Sequence, residues 1–293
     1  MRRTNKRRTN KKRKISYKRR TNKQKTNKKR RISYKQKGGS IDEFIYLCSK
    51  GNLEGAQEYL RLNPDTNISH LNEEAFRQAC SNGHLDVCQW LLQVCPTINI
   101  SAENDYAFRR ACTKGHLDVC QWLLQVSDER RQPINISADN EDAFLYACYN
   151  GHLDVVRWLL QVSEARGQPI DISINNEMAF RNACGKGHLG IAQLLLQVSK
   201  ERGQPIDISA EDDEAFLWAC SHRHLDVAKW LETLNPKYEV INEDKPNWSC
   251  NILTEPKDIK WNKNKKLVGL ASQRGNIVGK MPTDVVRITG SYL

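Results

Sequence analysis

The sequence predicts an all-α fold, a solenoid of paired antiparallel helices joined by short β-hairpin fingers. Three observations predict it. First, the cassette Ala-Phe-x-x-Ala-Cys-x-x-Gly-His-Leu-Asp-Val, or a close variant, occurs five times, with its Phe at Phe76, Phe108, Phe144, Phe180 and Phe216 and its His at His84, His116, His152, His188 and His224. Both series step by 32, 36, 36 and 36 residues. A period of this length marks stacked supersecondary copies that bury their apolar faces on one another. Second, within each cassette the apolar residues recur at helical spacing on either side of the Gly-His pair. Third, Ile-Asn/Asp-Ile-Ser recurs between copies, and that short alternation of β-branched residues suggests an extended finger or tight hairpin.

Charge divides the chain before any element is placed. Residues 1–37 carry 20 Lys and Arg and no Asp or Glu, whereas residues 41–236 carry 16 basic against 28 acidic residues. The formal charge of +12 is therefore a property of one end. Residues 1–40 are expected to form a disordered basic arm, with Gly38-Gly39 as its joint. Three readings of the arm stand together. It could address the chain to the nucleus, bind nucleic acid non-specifically through residues 1–37, or lie on the acidic repeats. No apolar stretch follows the basic start, so no secretory leader is expected. No run approaches the length of a membrane helix.

Residues 41–236 are expected to form the solenoid, with about six copies. Residues 41–62 read as a degenerate first copy in which Asn52 stands where the others have His. The copy from Ser101 to Val126 shows the elements plainly. Ala107, Phe108, Ala111 and Cys112 form one stripe of a first helix, with acidic residues in its first turn, where they complement the helix dipole. Gly115 stops that helix. Leu117, Val119, Cys120, Leu123 and Leu124 give a second helix its apolar face. Three copies carry four extra residues before the finger (Ser127 to Pro133, for example), which predicts an extra turn on the second helix. The last copy has Arg223 in the Gly position and stops at Pro236. Departures at both ends are expected of capping copies. Residues 237–293 read as a poorly defined C-terminal tail, with Trp248 and Trp261 suggesting some packing.

The ten cysteines contain no Cys-x-x-Cys pair, and five of them (Cys80, Cys112, Cys148, Cys184, Cys220) fall in register on an apolar face. They are read as free, buried thiols in a reducing compartment. The periodic His residues are read as turn residues. Nothing outside the repeat register has the makings of a catalytic centre, so no enzyme, cofactor or metal site is expected.

Helix, Gly-His-Leu-Asp-Val, helix and finger together resemble the ankyrin repeat, with Ala-Cys where that family has paired Ala and Ala-Phe-Arg or Ala-Phe-Leu where it has Pro-Leu-His. The Phe-Arg-x-Ala-Cys and Trp-Leu-Leu-Gln-Val wording resembles the ankyrin expansions of giant DNA viruses. The resemblance implies an intracellular protein of host cytoplasm or nucleus, not secreted. It also implies a monomeric, non-enzymatic scaffold that binds a protein on the concave, inner-helix side. Residues that vary between copies on that side are the candidates: Gln78, Arg110, Asn182, Tyr146 and Trp218 precede Ala-Cys, Tyr106 precedes Ala-Phe, and Tyr149 follows Ala-Cys. Tyr, Trp and Arg suit the centre of an interface. The acidic balance of the repeats suggests a basic partner. Residues 281–293 are similar to the start of the F-box-like element that ends many viral ankyrin proteins, which implies recruitment of a ubiquitin ligase.

Overall fold

The computed structural model describes residues 39–241, 244 and 248–253. The basic arm and the F-box-like stretch 281–293 lie outside the described residues. Two compact units divide at Asn99/Ile100. The first holds two helix pairs: α1 (Ile41–Ser49) with α2 (Leu53–Leu62), and α3 (His70–Ser81) with α4 (Leu85–Val94). The second holds four pairs: α5 (Ala102–Thr113) with α6 (Leu117–Arg130), α7 (Ala138–Asn150) with α8 (Leu153–Ala165), α9 (Ile174–Gly185) with α10 (Leu189–Glu201), and α11 (Ala210–Ser221) with α12 (Leu225–Leu234). An antiparallel hairpin of β1 (Tyr238–Ile241) and β2 (Ser249–Ile252) closes the second unit, pairing Tyr238 with Ile252 and Ile241 with Ser249.

The cores follow the cassette. All six Phe residues of the chain occupy the same register, and none is more than 1% exposed. Burying a side chain of that size is worth roughly 1.5–3 kcal/mol. Rings from consecutive copies meet there: Phe44 lies 6.3 Å from Trp90 in the first unit, and Phe108 lies 6.2 Å from Trp158 and Phe180 6.2 Å from Trp230 in the second. Each copy thus covers part of its neighbour's core. The predicted extra turn is present. The second helices α6, α8 and α10 have 14, 13 and 13 residues, against 10 for α4 and α12. The added turns carry ion pairs between neighbouring second helices, Arg166 to Asp128 at 2.6 Å and Arg202 to Glu164 at 2.8 Å.

Three fingers bury both their Ile residues, at Ile98/Ile100, Ile134/Ile136 and Ile170/Ile172, and the fourth buries Ile206. They close as turns rather than as paired strands. Asn135, Asp171 and Asp207 each accept a hydrogen bond from the N–H two residues on, the turn that Asn and Asp side chains favour.

In five of the six first helices, α3, α5, α7, α9 and α11, the second to fourth residues are left-handed before the right-handed helix begins: Leu71–Asn72–Glu73, Glu103–Asn104–Asp105, Asp139–Asn140–Glu141, Asn175–Asn176–Glu177 and Glu211–Asp212–Asp213, with φ between 52° and 66°. Asn or Asp fills the middle position every time, and these residues tolerate this region best after Gly. Where Arg follows the Phe, its guanidinium binds the turn's own carbonyls. Arg77 reaches Asn72 O at 2.7 Å, Arg109 reaches Asn104 O at 2.8 Å, and Arg181 reaches Asn176 O at 2.7 Å. The third residue of the turn turns its carboxylate inward. Glu73 accepts from Asn99 N at 3.2 Å, Asp105 from Asn135 N at 3.0 Å and Glu141 from Asp171 N at 3.4 Å. One copy therefore holds the finger that follows it. These four acids, Glu177 included, are buried, and the second oxygen of each has no protein hydrogen-bond partner. Burial first, and Asp207 and Asp171 nearby, push the Glu177 carboxyl above its ordinary range.

His84 in the first unit, and His152, His188 and His224 in the second, each pack on the preceding copy's turn. His84 Nε2 donates to Ser49 O and His188 Nε2 to Tyr149 O, both at 3.1 Å. The rings lie against glycines with positive φ. A Cβ on Gly151 would sit 2.5 Å from His188, and one on Gly187 would sit 2.4 Å from His224. The ends of the pattern are consistent with this contact. Asn52, with no copy before it among the described residues, caps α2 by accepting from Gly55 N at 3.0 Å. Arg223, with no further His to meet it, takes φ 68° and donates to Trp248 O at 2.8 Å.

The hairpin, inside the segment read as a poorly defined tail, stands in for a further copy. Tyr238 stacks on Phe216 at 4.2 Å, and its hydroxyl donates to Asp213 at 2.6 Å, in the place where earlier turns hold a finger N–H. Here the reading of all ten thiols as free is corrected: Cys220 and Cys250 form a disulfide. Cys250 lies outside the repeat register, so nothing periodic pointed to it. The hairpin brings it to the exposed end of α11, where no neighbouring copy covers Cys220. The other eight cysteines are free thiols. Burial pushes the Cys48 thiol up to about 12 and raises Cys148 and Cys184 as well, so these are unreactive packing groups.

Three outcomes are expected. Gly151→Ala should cost about 2–4 kcal/mol in urea denaturation, combining left-handed strain with collision against His188. Gly167→Ala, also at positive φ but with nothing within 4 Å, should cost only about 1 kcal/mol. Equal costs would show that the His contact is unimportant. Cys250→Ser should lower stability by about 2–4 kcal/mol and expose residues 238–252 to limited proteolysis; unchanged cleavage would show that the disulfide does not hold the hairpin. Because the folded Glu177 carboxyl titrates above its unfolded value, the wild-type protein gains stability from this group as pH falls toward about 4.5. Denaturation midpoints of Glu177→Gln, relative to wild type, should therefore be more favourable at about pH 7 than at about pH 4.5.

Candidate functional site

The first helices of the pairs bury one face and expose the other. On α7, Ala143, Phe144, Ala147 and Cys148 point inward, and Tyr146, Tyr149 and Asn150 point out, at spacings of three and four residues. The same register positions on the neighbouring helices are Arg110, the buried Thr113 and Lys114 on or just beyond α5, Asn182, the buried Gly185 and Lys186 at α9, and Trp218, Ser221 and His222 at α11.

Tyr146 is 48% exposed, Tyr149 37% and Trp218 36%, among the largest apolar exposures in the second unit. The Tyr146 and Tyr149 rings meet edge to face at 6.5 Å. Lys186 Nζ lies 4.4 Å over the Tyr149 ring, a cation–π distance that links α7 to α9. The Trp218 ring rests over Gly185, where an added Cβ would come 2.8 Å from it, and so links α9 to α11. The arrangement is a packed aromatic strip across three helices. Its backbone is held from below: Asn150 donates to Thr113 O at 3.0 Å, and His188 donates to Tyr149 O.

Of the predicted residues, Tyr146, Tyr149 and Trp218 fall together in this strip. Tyr106, Arg110 and Asn182 are half-buried on the same set of helices, and Gln78, also half-buried, belongs to the first unit. Gln78 there donates to Glu74 at 2.8 Å. Burial, then Arg110, pulls the Lys114 ammonium below its ordinary value, so two cations crowd one end of α5. Lys186 was not among the expected contacts, nor was Tyr46, which is 59% exposed with Lys50 Nζ 5.6 Å from its ring. Both were findable. Carrying the cassette back one step places Tyr46 in the column of Gln78, Arg110, Tyr146, Asn182 and Trp218.

Among the described residues, no group of His, Cys, Asp and Glu is placed to hold a metal ion, and no helix is long and apolar enough to cross a membrane.

Comparison with known proteins agrees with this geometry. The family model for ankyrin repeats matches three overlapping stretches, residues 44–133, 79–171 and 144–242. The chain belongs to the ankyrin-repeat family. It is similar to the human ASB11 ankyrin repeat domain, whose crystal structure aligns at 14% identity and a TM-score of 0.48, covering 65% of this chain and 82% of that one. No curated protein matches the chain. Ankyrin repeats are protein-interaction modules, and that general role extends to this chain.

Proposed function

We propose that the chain is a non-catalytic binding scaffold whose partner protein seats on the exposed first-helix face of the second unit. The observation that carries this reading is the strip formed by Tyr146, Tyr149 and Trp218. Three large aromatics stay substantially exposed on α7 and α11, either side of α9, although the other outward positions of the second unit, Gly185 apart, hold polar residues. Fixed positions (Phe, Ala-Cys, Gly-His) build the stack. Positions that vary while remaining exposed are available to choose a partner, and Tyr and Trp supply much contact area for few ordered torsions.

The reading assigns Tyr146, Tyr149 and Trp218 as anchors, with Arg110, Tyr106 and Asn182 around them; Gln78, in the first unit, is left outside this assignment. A photo-crosslinking residue placed at Tyr149 should give partner adducts in cells, whereas one at Gln121, exposed on α6, should not. Tyr146→Ala and Trp218→Ala should each weaken partner binding about 30-fold while leaving the unfolding midpoint nearly unchanged, since both side chains are exposed. Adducts of equal yield from Gln121, or full binding by both variants, would place the partner elsewhere.

A further inference from the structure

The charge of the binding face differs from that of the repeats around it, and the difference bears on the partner's chemistry. The second unit's outward columns hold Arg110, Tyr146, Asn182 and Trp218, then Thr113, Tyr149, Gly185 and Ser221, then Lys114, Asn150, Lys186 and His222. None of these twelve residues is acidic, in a segment (41–236) where Asp and Glu number 28 against 16 Lys and Arg. The first unit has the same property, with Tyr46, Ser49, Lys50, Gln78, Ser81 and Asn82.

Most acids lie elsewhere, although the column of Tyr106 also holds Glu74, Asp142 and Glu214. Asp118, Asp154 and Asp226 open the second helices, Asp128, Glu164 and Glu201 lie near their ends, and others sit in the left-handed turns. Acids that approach the first-helix face are neutralised within the fold: Asp142 pairs with Arg109 at 2.7 Å, and Glu214 pairs with Arg181. Arg109 and Arg181 are thereby directed to the turns, whereas Arg110 is directed to the face, where its buried Nε has no hydrogen-bond partner. A helix dipole favours Lys114 and Lys186 at helix C-termini, but it accounts neither for Arg110, a turn earlier, nor for the aromatics between them.

We infer that this face receives an acidic segment of a partner protein, its carboxylates meeting Arg110, Lys114 and Lys186 and its apolar side chains lying on Tyr146, Tyr149 and Trp218. The inference rests on the proposed binding face and adds the partner's chemistry. It replaces the basic partner suggested by net charge, because net charge averages over surfaces the partner does not touch. A protein segment fits better than nucleic acid. The same helices begin in exposed acids (Glu103, Asp139, Glu211, Asp212), and a uniformly charged phosphate backbone crossing them would be repelled. A peptide can confine its charge to one end.

The test is differential selection from a displayed random-peptide library on the full chain and on Arg110→Glu/Lys186→Glu. Both carry the same basic arm, so arm-bound peptides cancel. Lys186→Glu alone serves if the double variant has a lowered unfolding midpoint. Peptides enriched at least tenfold on wild type over the variant should carry net negative charge and an aromatic or aliphatic residue, and replacing their acids by amides should weaken binding about tenfold. Enriched peptides that are neutral or basic overturn the inference but leave the face as a binding site. If no peptide distinguishes the proteins, the face itself is overturned. A crosslinker at Tyr149 that captures poly(U) in preference to the selected peptide overturns the inference in favour of nucleic acid.

Discussion

The left-handed turn that opens the repeated first helices is the constraint on which the rest of each unit depends. Three consecutive residues with positive φ cost about 1–2 kcal/mol each for L-amino acids. The turn survives because two interactions require it. A buried carboxylate at its third position holds the backbone N–H of the following finger, as Asp105 holds Asn135. In three copies an Arg forks onto the carbonyls that the left-handed path turns outward, as Arg109 does at Asn104 and Glu103. Hydrogen bonds to charged groups contribute roughly 1.5–3 kcal/mol each, enough to offset the strain when finger burial is added. The carboxylate and the N–H belong to different copies, so the bond also sets register. Register is what aligns the outward columns of neighbouring helices into a single face.

A second neighbour contact explains the exceptions in the cassette better than the rule does. His and Gly are fixed together because the imidazole of one copy occupies the space a Cβ would need on the copy before it. Remove the following copy and the requirement disappears, which is why Arg223 is tolerated at the last Gly position and is used to grip the hairpin. Remove the preceding copy and the His has nothing to donate to, which is why Asn52 can serve as an ordinary helix cap. The same logic extends to Asp213, which without a further finger accepts from the Tyr238 hydroxyl instead. That hydroxyl is held well above its ordinary titration range, by burial first and by Asp213 next. Among the described residues, the first and last copies are thus the ordinary copy with one neighbour missing.

The helices, the Phe register, the Gly stops and the extra turn on α6, α8 and α10 were legible in the sequence because five copies repeat them. The left-handed turns were not, for a specific reason. A run such as Glu-Asn-Asp at 103–105 has the composition of a helix's first turn, where acids favour the dipole, and composition does not reveal the sign of φ. The Cys220–Cys250 bond and the hairpin were illegible because one partner of each contact lies outside the period. The candidate face was half legible. Variation at a register position singled out Tyr146, Tyr149 and Trp218, which the fold leaves exposed, but it said nothing of Gly185, on which the Trp218 ring rests. Net charge points to a basic partner and the proposed face to an acidic one, because net charge is a sum over surfaces that point in different directions.

Gly185 shows why the face is more than a collection of drifted surface residues. An exposed Trp on a free helix samples several rotamers, and fixing it on binding costs about 0.5–1.5 kcal/mol. Here the Trp218 ring is already laid on the neighbouring helix, in space that only Gly leaves open, while Tyr149 is bracketed by the Tyr146 edge and the Lys186 ammonium. Part of the ordering cost is therefore met during folding, at the expense of an exposed apolar strip that contributes little to stability. Such an arrangement favours association over solubility. The columns around it supply the selectivity: cations on one side, acids confined to the helix starts, and no carboxylate among the rings to compete with one arriving from outside.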